Sequence, residues 1–205
     1  GFNSGFYFMA AQKKSKYDSA YSITSKKFRK TITELQKMGV EIGFHPSYAT
    51  FRNPELLRAE KQSLERAVGS PLRGGRQHYL RNEFPQTWRA WEQVGLEYDS
   101  SLTYADCEGF RAGTCHPFQT FDHQEDRAMH LTEIPLIVMD GTLKNYRGMK
   151  VNDAHQRILQ LARRCREVEG IFTLLWHNRS FINDWQPWGE MYYELLPELK
   201  ALISS

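Results

Sequence analysis

Long apolar runs are what this 205-residue sequence most plainly lacks. No stretch approaches the roughly 18 residues that a bilayer-spanning helix needs, which excludes a helical membrane span. Cysteine is scarce. Cys107, Cys115 and Cys165 make no CxxC pair and no disulfide framework, so reduced thiols in a cytoplasmic setting are the expectation. An excess of one charge sign is missing too: the formal net charge is +3, too mild to argue for nucleic acid. The densest basic stretch, Lys13 to Lys30, scatters its charges among Ser, Tyr and Thr, as a solvated loop and helix face does. No glycine-rich loop follows a candidate strand and no G-x-S-x-G elbow occurs, which removes phosphate-loop enzymes and elbow-type serine hydrolases. Repeats, low-complexity tracts and linkers are absent as well.

Aromatic residues are what the chain has in plenty, at 13%, within an otherwise ordinary 40% hydrophobic and 25% charged composition. They suit a thick core first and a carbohydrate-stacking groove second. The length fits a single domain over 1–205 with a real core. The opening GFNSGFYFMAAQKK has too short an apolar run and the wrong flanks for a signal peptide. It reads as a core strand entered abruptly, with sequence expected upstream.

Strands and helices alternate along the chain. GFYFMA reads as a buried strand; residues 26–38 space Phe28, Ile32 and Leu35 helically and stop at Gly39. VEIGF is a short strand ending at His45. Pro54 opens a second helix closed by Gly69 and Pro71, and GGRQHY follows as a short segment that is a candidate strand. Pro85 begins a third helix with Trp88, Trp91 and Val94, closed by Gly95. LEYD is another strand, residues 103–130 read as loop, and LTEIPLIVMD is strand-like although Pro135 interrupts it. Residues 152–169 form the clearest helix, IFTLLWHN reads as a buried strand, and residues 189–203 form a last amphipathic helix. Such alternation predicts parallel strands joined by crossover helices, with ligands at the carboxyl ends of the strands.

Acids and imidazoles fall at those ends repeatedly: His45 after VEIGF, His78 after GGRQ, Asp99 after LEY and His177 after LLW. A histidine ending a strand serves as acid–base catalyst or ligand, or simply caps the strand through the backbone. His78 gains from Arg76, whose guanidinium can orient a carboxylate. Asp99 either orients an imidazole or caps the Ser100-Ser101 turn. His123 and His155 read as solvent-facing, His116 and His130 have no supporting pattern, and the adjacent Cys115 and His116 rarely ligate one ion.

The phrases GFHPSY, RQHYLR, GFRAGT and LLWHN, in this order, resemble a bacterial subgroup of the polysaccharide deacetylases of the NodB-homology type, carbohydrate esterase family four. The resemblance covers nearly the whole chain as an order of elements, with partial motif matches. It implies a distorted (β/α) barrel whose first strand, carrying an Asp-Asp motif, is missing from this chain. The family's histidine motif falls on His45, its Arg-x-Pro-Tyr-like loop on Arg76-Gln77-His78-Tyr79, its Asp motif on Asp99 with Tyr104 in the aromatic place, and its Leu-x-x-His on Leu174 to His177. The second histidine usual four residues after the first is Ala49 here, and His78 stands where the family has proline, so the second imidazole ligand moves to His78.

The chemistry that the resemblance implies is hydrolysis of an N-acetyl or similar acyl group on a carbohydrate. A divalent metal, zinc ahead of cobalt or nickel, is expected on His45 and His78. Arg76 would orient the upstream base, the Tyr79 backbone N–H would hold the oxyanion, and His177 paired with Asp99 would protonate the leaving amine. Tyr104, Trp176, Trp185 and Trp188 would line a sugar groove. Without the Asp-Asp motif the chain reads as a fragment, or as a barrel that binds a glycan or a protein without catalysis. Hydrolysis of a non-sugar amide C–N bond is a further alternative. The missing strand would leave an edge open to an oligomer or to the absent N-terminal segment.

Overall fold

The structure is a computed structural model and describes residues 2–11 and 15–204. Its strands fall into two sheets, and the chain divides into two compact units. The first unit comprises Asn3–Ser101 and Phe118–Glu133; the second comprises Leu102–Pro117 and the chain from Ile134 onward.

In the first unit, β1 (Gly5–Phe8), α1 (Lys26–Lys37), β2 (Glu41–Phe44), α2 (Pro54–Val68), β3 (Gly74–Gly75), α3 (Gln86–Gln93) and β4 (Tyr98–Asp99) alternate as the sequence predicts. The hairpin β5 (Phe118–Asp122) and β6 (Arg127–Glu133) completes a sheet of order β1-β2-β3-β4-β6-β5, in which only β5 runs antiparallel to its neighbour. Local chemistry sets the helix limits. Ser25 caps α1 by accepting from the Phe28 N–H at 3.1 Å, and the helix buries Phe28 and Ile32. Asn53 does the same for α2 on Leu56, with Pro54 in the first turn and Gly69 closing the helix at φ 81°. The α3 helix covers the face of the sheet that holds Phe44 and Glu133: Phe44 packs on Trp91, and the Trp88 indole donates to Glu133 at 3.2 Å.

The second unit holds β7 (Val138–Met139), α4 (Val151–Glu167), β8 (Leu174–Leu175) and α5 (Gln186–Ser204), with β7 and β8 paired in parallel. Helix α4 buries Ala154, Ile158, Leu161, Ala162 and Cys165 as its periodicity predicts, and α5 adds Trp188, Met191 and Leu195 to the same core.

Three readings of the sequence change. The segment 103–130 contains β5 and the start of β6, because β5 turns Thr120 and Asp122 inward and leaves Phe121 exposed, which hides the strand from a hydrophobic pattern. Asp122 is tolerated there because Arg89 binds both its oxygens. LTEIPLIVMD is two strands, β6 and β7, separated at Ile134-Pro135. IFTLLWHN pairs only at Leu174–Leu175, and those two residues are half-buried. The six-stranded sheet is mostly parallel, and among the described residues its strand order runs open from β1 to β5. No helix among the described residues is long and apolar enough to cross a membrane.

Candidate functional site

In the first unit the end of β2 and the turn after β3 bring two imidazoles together. The backbone N–H of His45 bonds to the Phe8 carbonyl at 2.9 Å, extending the β1–β2 ladder by one residue and fixing where the side chain starts. His45 Nδ1 lies 2.7 Å from the Arg76 carbonyl oxygen, and His78 Nε2 lies 2.7 Å from the Tyr17 carbonyl oxygen. A carbonyl only accepts, so both of these nitrogens carry the proton and donate. His45 Nε2 and His78 Nδ1 then face each other at 2.9 Å as two lone pairs. Two acceptors do not hold that distance by themselves. A proton shared between them makes this an ordinary hydrogen bond; bonds of about 2.0–2.1 Å to one tetrahedral zinc ion would set the two nitrogens about 3.3 Å apart. Behind His78, the Asp18 carboxylate stands 3.9 Å from Nε2 and accepts the Tyr48 N–H at 2.8 Å.

Arg76 is buried between these groups and β4. Its Nε donates to the Ser100 carbonyl at 2.6 Å and its Nη2 to Ser100 Oγ at 2.8 Å, and its guanidinium lies 5.3 Å over the Tyr7 ring. Burial pulls this guanidinium below its ordinary pKa, opposed by the nearby Tyr7 and Asp99. Asp99 is fully buried. One carboxyl oxygen accepts from Ser101 Oγ, and the other has no hydrogen-bond partner among the described residues. Burial pushes the Asp99 carboxyl up to about 7, against the Ser101 hydrogen bond and the Arg76 charge. Its register partner on β6 is Glu133, also fully buried.

In the second unit the imidazole of His177 is held by a carboxylate that the sequence reading passed over. Asp140 Oδ1 accepts from His177 Nδ1 at 2.6 Å and from the Gly141 N–H at 2.7 Å. Its Oδ2 accepts from the His177 N–H at 2.9 Å and from Ser180 Oγ. Burial opposes ionisation of Asp140, but the donors from His177 and Ser180 outweigh it and hold the carboxyl below its usual range. The Nδ1 proton of His177 is thereby fixed, and Nε2 is left for chemistry on a side chain 38% exposed. The partner of His177 is therefore Asp140, where the sequence reading has Asp99: Asp140 follows β7, which is the strand paired with β8, the strand that ends just before His177. The missed signal was the acid ending LIVMD, the same strand-end pattern that singled out Asp99.

The four aromatic residues expected in a sugar groove differ in setting. Trp188 is 4% exposed and belongs to the core cluster of the second unit, so its ring offers no face to a ligand. Trp176 packs partly against that core and tilts on Tyr192 at 5.1 Å. Trp185 is half-buried, with Lys144 Nζ 4.1 Å and the Arg179 guanidinium 5.6 Å from its ring centre. Tyr104 is exposed, with Arg111 5.5 Å over its ring. Among the described residues no group of three or more His, Cys, Asp or Glu side chains is gathered for a metal ion.

No family model and no curated protein matches the chain. Among solved structures, the fold is similar to the crystal structure of a protein from Mycobacterium smegmatis provisionally assigned as a polysaccharide deacetylase. The TM-score is 0.62 at 18% identity, over 86% of this chain. The match spans 62% of the length of that protein.

Proposed function

We propose that the chain belongs to a metal-dependent hydrolase that removes N-acetyl or similar acyl groups from a carbohydrate, on the distorted (β/α) barrel of the polysaccharide deacetylases. The observation that carries this reading is the facing pair, His45 Nε2 and His78 Nδ1, 2.9 Å apart with their outer nitrogens donating to backbone carbonyls. Two imidazoles with their outer nitrogens engaged are ligands that suit zinc, and also cobalt or nickel, with the pair opening slightly from its 2.9 Å contact to take the ion. A divalent ion held there would polarise the acyl carbonyl and lower the pKa of a bound water.

The remaining roles fall to the chain's own groups, each within its own unit. Arg76, pinned by Ser100, keeps a buried positive charge beside the imidazole pair to orient an anionic base. The Tyr79 backbone N–H supplies an oxyanion donor, worth about 3–4 kcal/mol where such a donor is well aimed. In the second unit Asp140, kept ionised by its donors, holds the Nδ1 proton of His177, and Nε2 passes a proton to the departing amine. Exposed Tyr104 and half-buried Trp185 offer surfaces for sugar rings. A second reading, a barrel that binds a glycan without hydrolysing it, is favoured by one observation: among the described residues no group of three metal-capable side chains is gathered around the imidazole pair, Asp18 standing on the far side at His78 Nε2.

Zinc titration of the product of the full gene, followed by calorimetry, tests the pair. His45→Ala and His78→Ala are each expected to weaken binding by at least about ten-fold. A His78→Ala protein that binds zinc like its parent removes His78 from the ligand set. His177→Ala is expected to keep zinc affinity and release no acetate from tetra-N-acetylchitotetraose; retained turnover would end the acid role, and a parent that binds zinc without turnover would favour the binding-only reading.

A further inference from the structure

The second unit carries two buried thiols that the hydrolytic reading does not use. Cys115 and Cys165 are 3% and 1% exposed and belong to one apolar core. They come from the loop before β5 and from the last turn of α4, yet the two thiols are in hydrogen-bond contact. Backbone bonds fix this meeting. The Cys165 carbonyl accepts the Gly170 N–H at 2.8 Å, and the Cys115 carbonyl accepts the next N–H, that of Ile171, at 3.1 Å. The Cys115 thiol occupies the space that glycine leaves at position 170. A Cβ there would stand 2.2 Å from Cys115 Sγ and 3.4 Å from the Cys165 carbonyl oxygen. Farther back, the Gly109 N–H donates to the Ile137 carbonyl at 2.9 Å, and Glu108 accepts from Arg157 of α4 at 2.7 Å. Both sides of the pair are held before any bond joins the sulfurs.

The two thiols differ in access. Cys115 lines a surface cavity of about 780 Å³, walled also by Phe110, Thr114, His116, Leu161 and Arg164, and Cys165 is not part of that wall. A space of this kind admits a small oxidant to Cys115, while the burial of Cys165 keeps a protein oxidant from reaching it. Burial, with the adjacent Cys115, pushes the Cys165 thiol up to about 12. Cys165 therefore stays protonated, and Cys115 is the sulfur that meets the oxidant first.

We propose that Cys115 and Cys165 are an oxidation site, at which a small hydroperoxide converts the pair to a disulfide that ties the loop before β5 to the end of α4. The Cys115 sulfur attacks one oxygen of hydrogen peroxide; an S–O bond forms, the O–O bond breaks, and water leaves. The Cys165 sulfur then attacks the Cys115 sulfur. The S–S bond forms as the S–O bond breaks, and the Cys165 proton departs with the hydroxyl as a second water. In total the two thiols give two electrons to the peroxide, and a thiol reductant reverses the change. The bond closes a chain segment of about 50 residues, long enough to constrain the unfolded state strongly. Neither thiol takes part in the carbohydrate reading, so the two stand or fall separately.

The test treats the reduced whole chain with hydrogen peroxide. Peptide mass mapping without reductant is expected to find Cys115 linked to Cys165. The urea midpoint should rise by about 1 M and return when dithiothreitol is added. Truncating a core thiol can itself destabilise the protein, so the readout in each variant is the shift between its oxidised and reduced forms. Cys107→Ala should keep the whole shift, and Cys115→Ala and Cys165→Ala should each abolish it. Should the last two fail to fold, Cys107→Ala still gives the answer, because the pair are then the only thiols in the chain. Two free thiols in treated Cys107→Ala would overturn the site. So would a Cys115 oxidised to the sulfinic acid beside an intact Cys165 thiol, or a disulfide that leaves the midpoint unmoved.

Discussion

The hydroxyls of Tyr7 and Tyr98 lie 3.1 Å apart although two strands separate β1 from β4 in the sheet. Tyr7 is opposite Gly43 and Tyr98 is opposite Gly74, so each ring folds across a glycine and the two meet over the strip between. Tyr98 donates to Glu41 at 2.8 Å, which leaves Tyr7 as the donor to Tyr98. Burial, with the neighbouring Tyr7 and Glu41, drives the Tyr98 phenol far above its ordinary pKa.

Glycine is required here by close approach. A Cβ on Gly43 would clash with the edge of the Tyr7 ring, and one on Gly74 with the edge of the Tyr98 ring. Gly74→Ala is expected to destabilise the protein by about 1–3 kcal/mol, the usual penalty of overpacking, read as a lower urea midpoint. Zinc affinity should fall as well, because Arg76 rests over Tyr7 and its carbonyl orients His45. An unchanged midpoint would mean that the rings swing aside freely.

Asp140 and its donors set a second expectation. Asp140→Asn should lower acetate release by about 10²-fold or more, since His177 loses the charge that fixes its proton. Ser180→Ala removes one buried donor to the same carboxylate and should cost about 1–3 kcal/mol of stability with a smaller loss of rate. The pH dependence has a definite sign. The folded pKa of Asp140 is depressed, so its stabilisation is present above the unfolded carboxylate range and is lost as pH falls through the folded value. Urea unfolding followed from pH 5 down to pH 2 should therefore show a shallower acid-side loss in Asp140→Asn than in the parent; parallel curves would contradict the pairing.

Asp99 works in the opposite sense. Its folded pKa is raised to about 7, above the unfolded value, so folding favours the protonated acid. Below the unfolded pKa both states are protonated and the group is neutral to stability. As pH rises from the unfolded carboxylate range to about 7 the parent progressively loses stability through this residue, and above 7 the loss is complete. Asp99→Asn keeps an acceptor for Ser101 and places an amide where the carboxyl oxygen lacks a partner. It should be more stable than the parent at pH 8, on the order of 1 kcal/mol, and indistinguishable from it near pH 3. A variant less stable at pH 8 would show that the charge of Asp99 is needed by Arg76.

Much of this was legible in the residues. The spacing of Phe28 and Ile32, of Leu57, Leu64 and Val68, and of Ala154, Ile158 and Cys165 marked three helices, because a 3.6-residue period is a local property of the chain. The strands were harder. In β5 the inward positions are polar, and in β3, β4, β7 and β8 only two residues pair, too few for a period to show.

What the sequence by itself determined is the alternation of strand and helix and the habit of ending strands in His or Asp. Both follow from neighbours along the chain. Only the tertiary structure decided which groups meet. His45 and His78 lie 33 positions apart and face each other because two carbonyls, of Arg76 and Tyr17, take their outer protons. His177 takes Asp140 because β7 pairs with β8, while Asp99 turns to Ser101 in a wholly buried setting. Hydrogen bonds and desolvation act through space, so a list of strand-end residues can nominate partners, and only the folded ladders assign them.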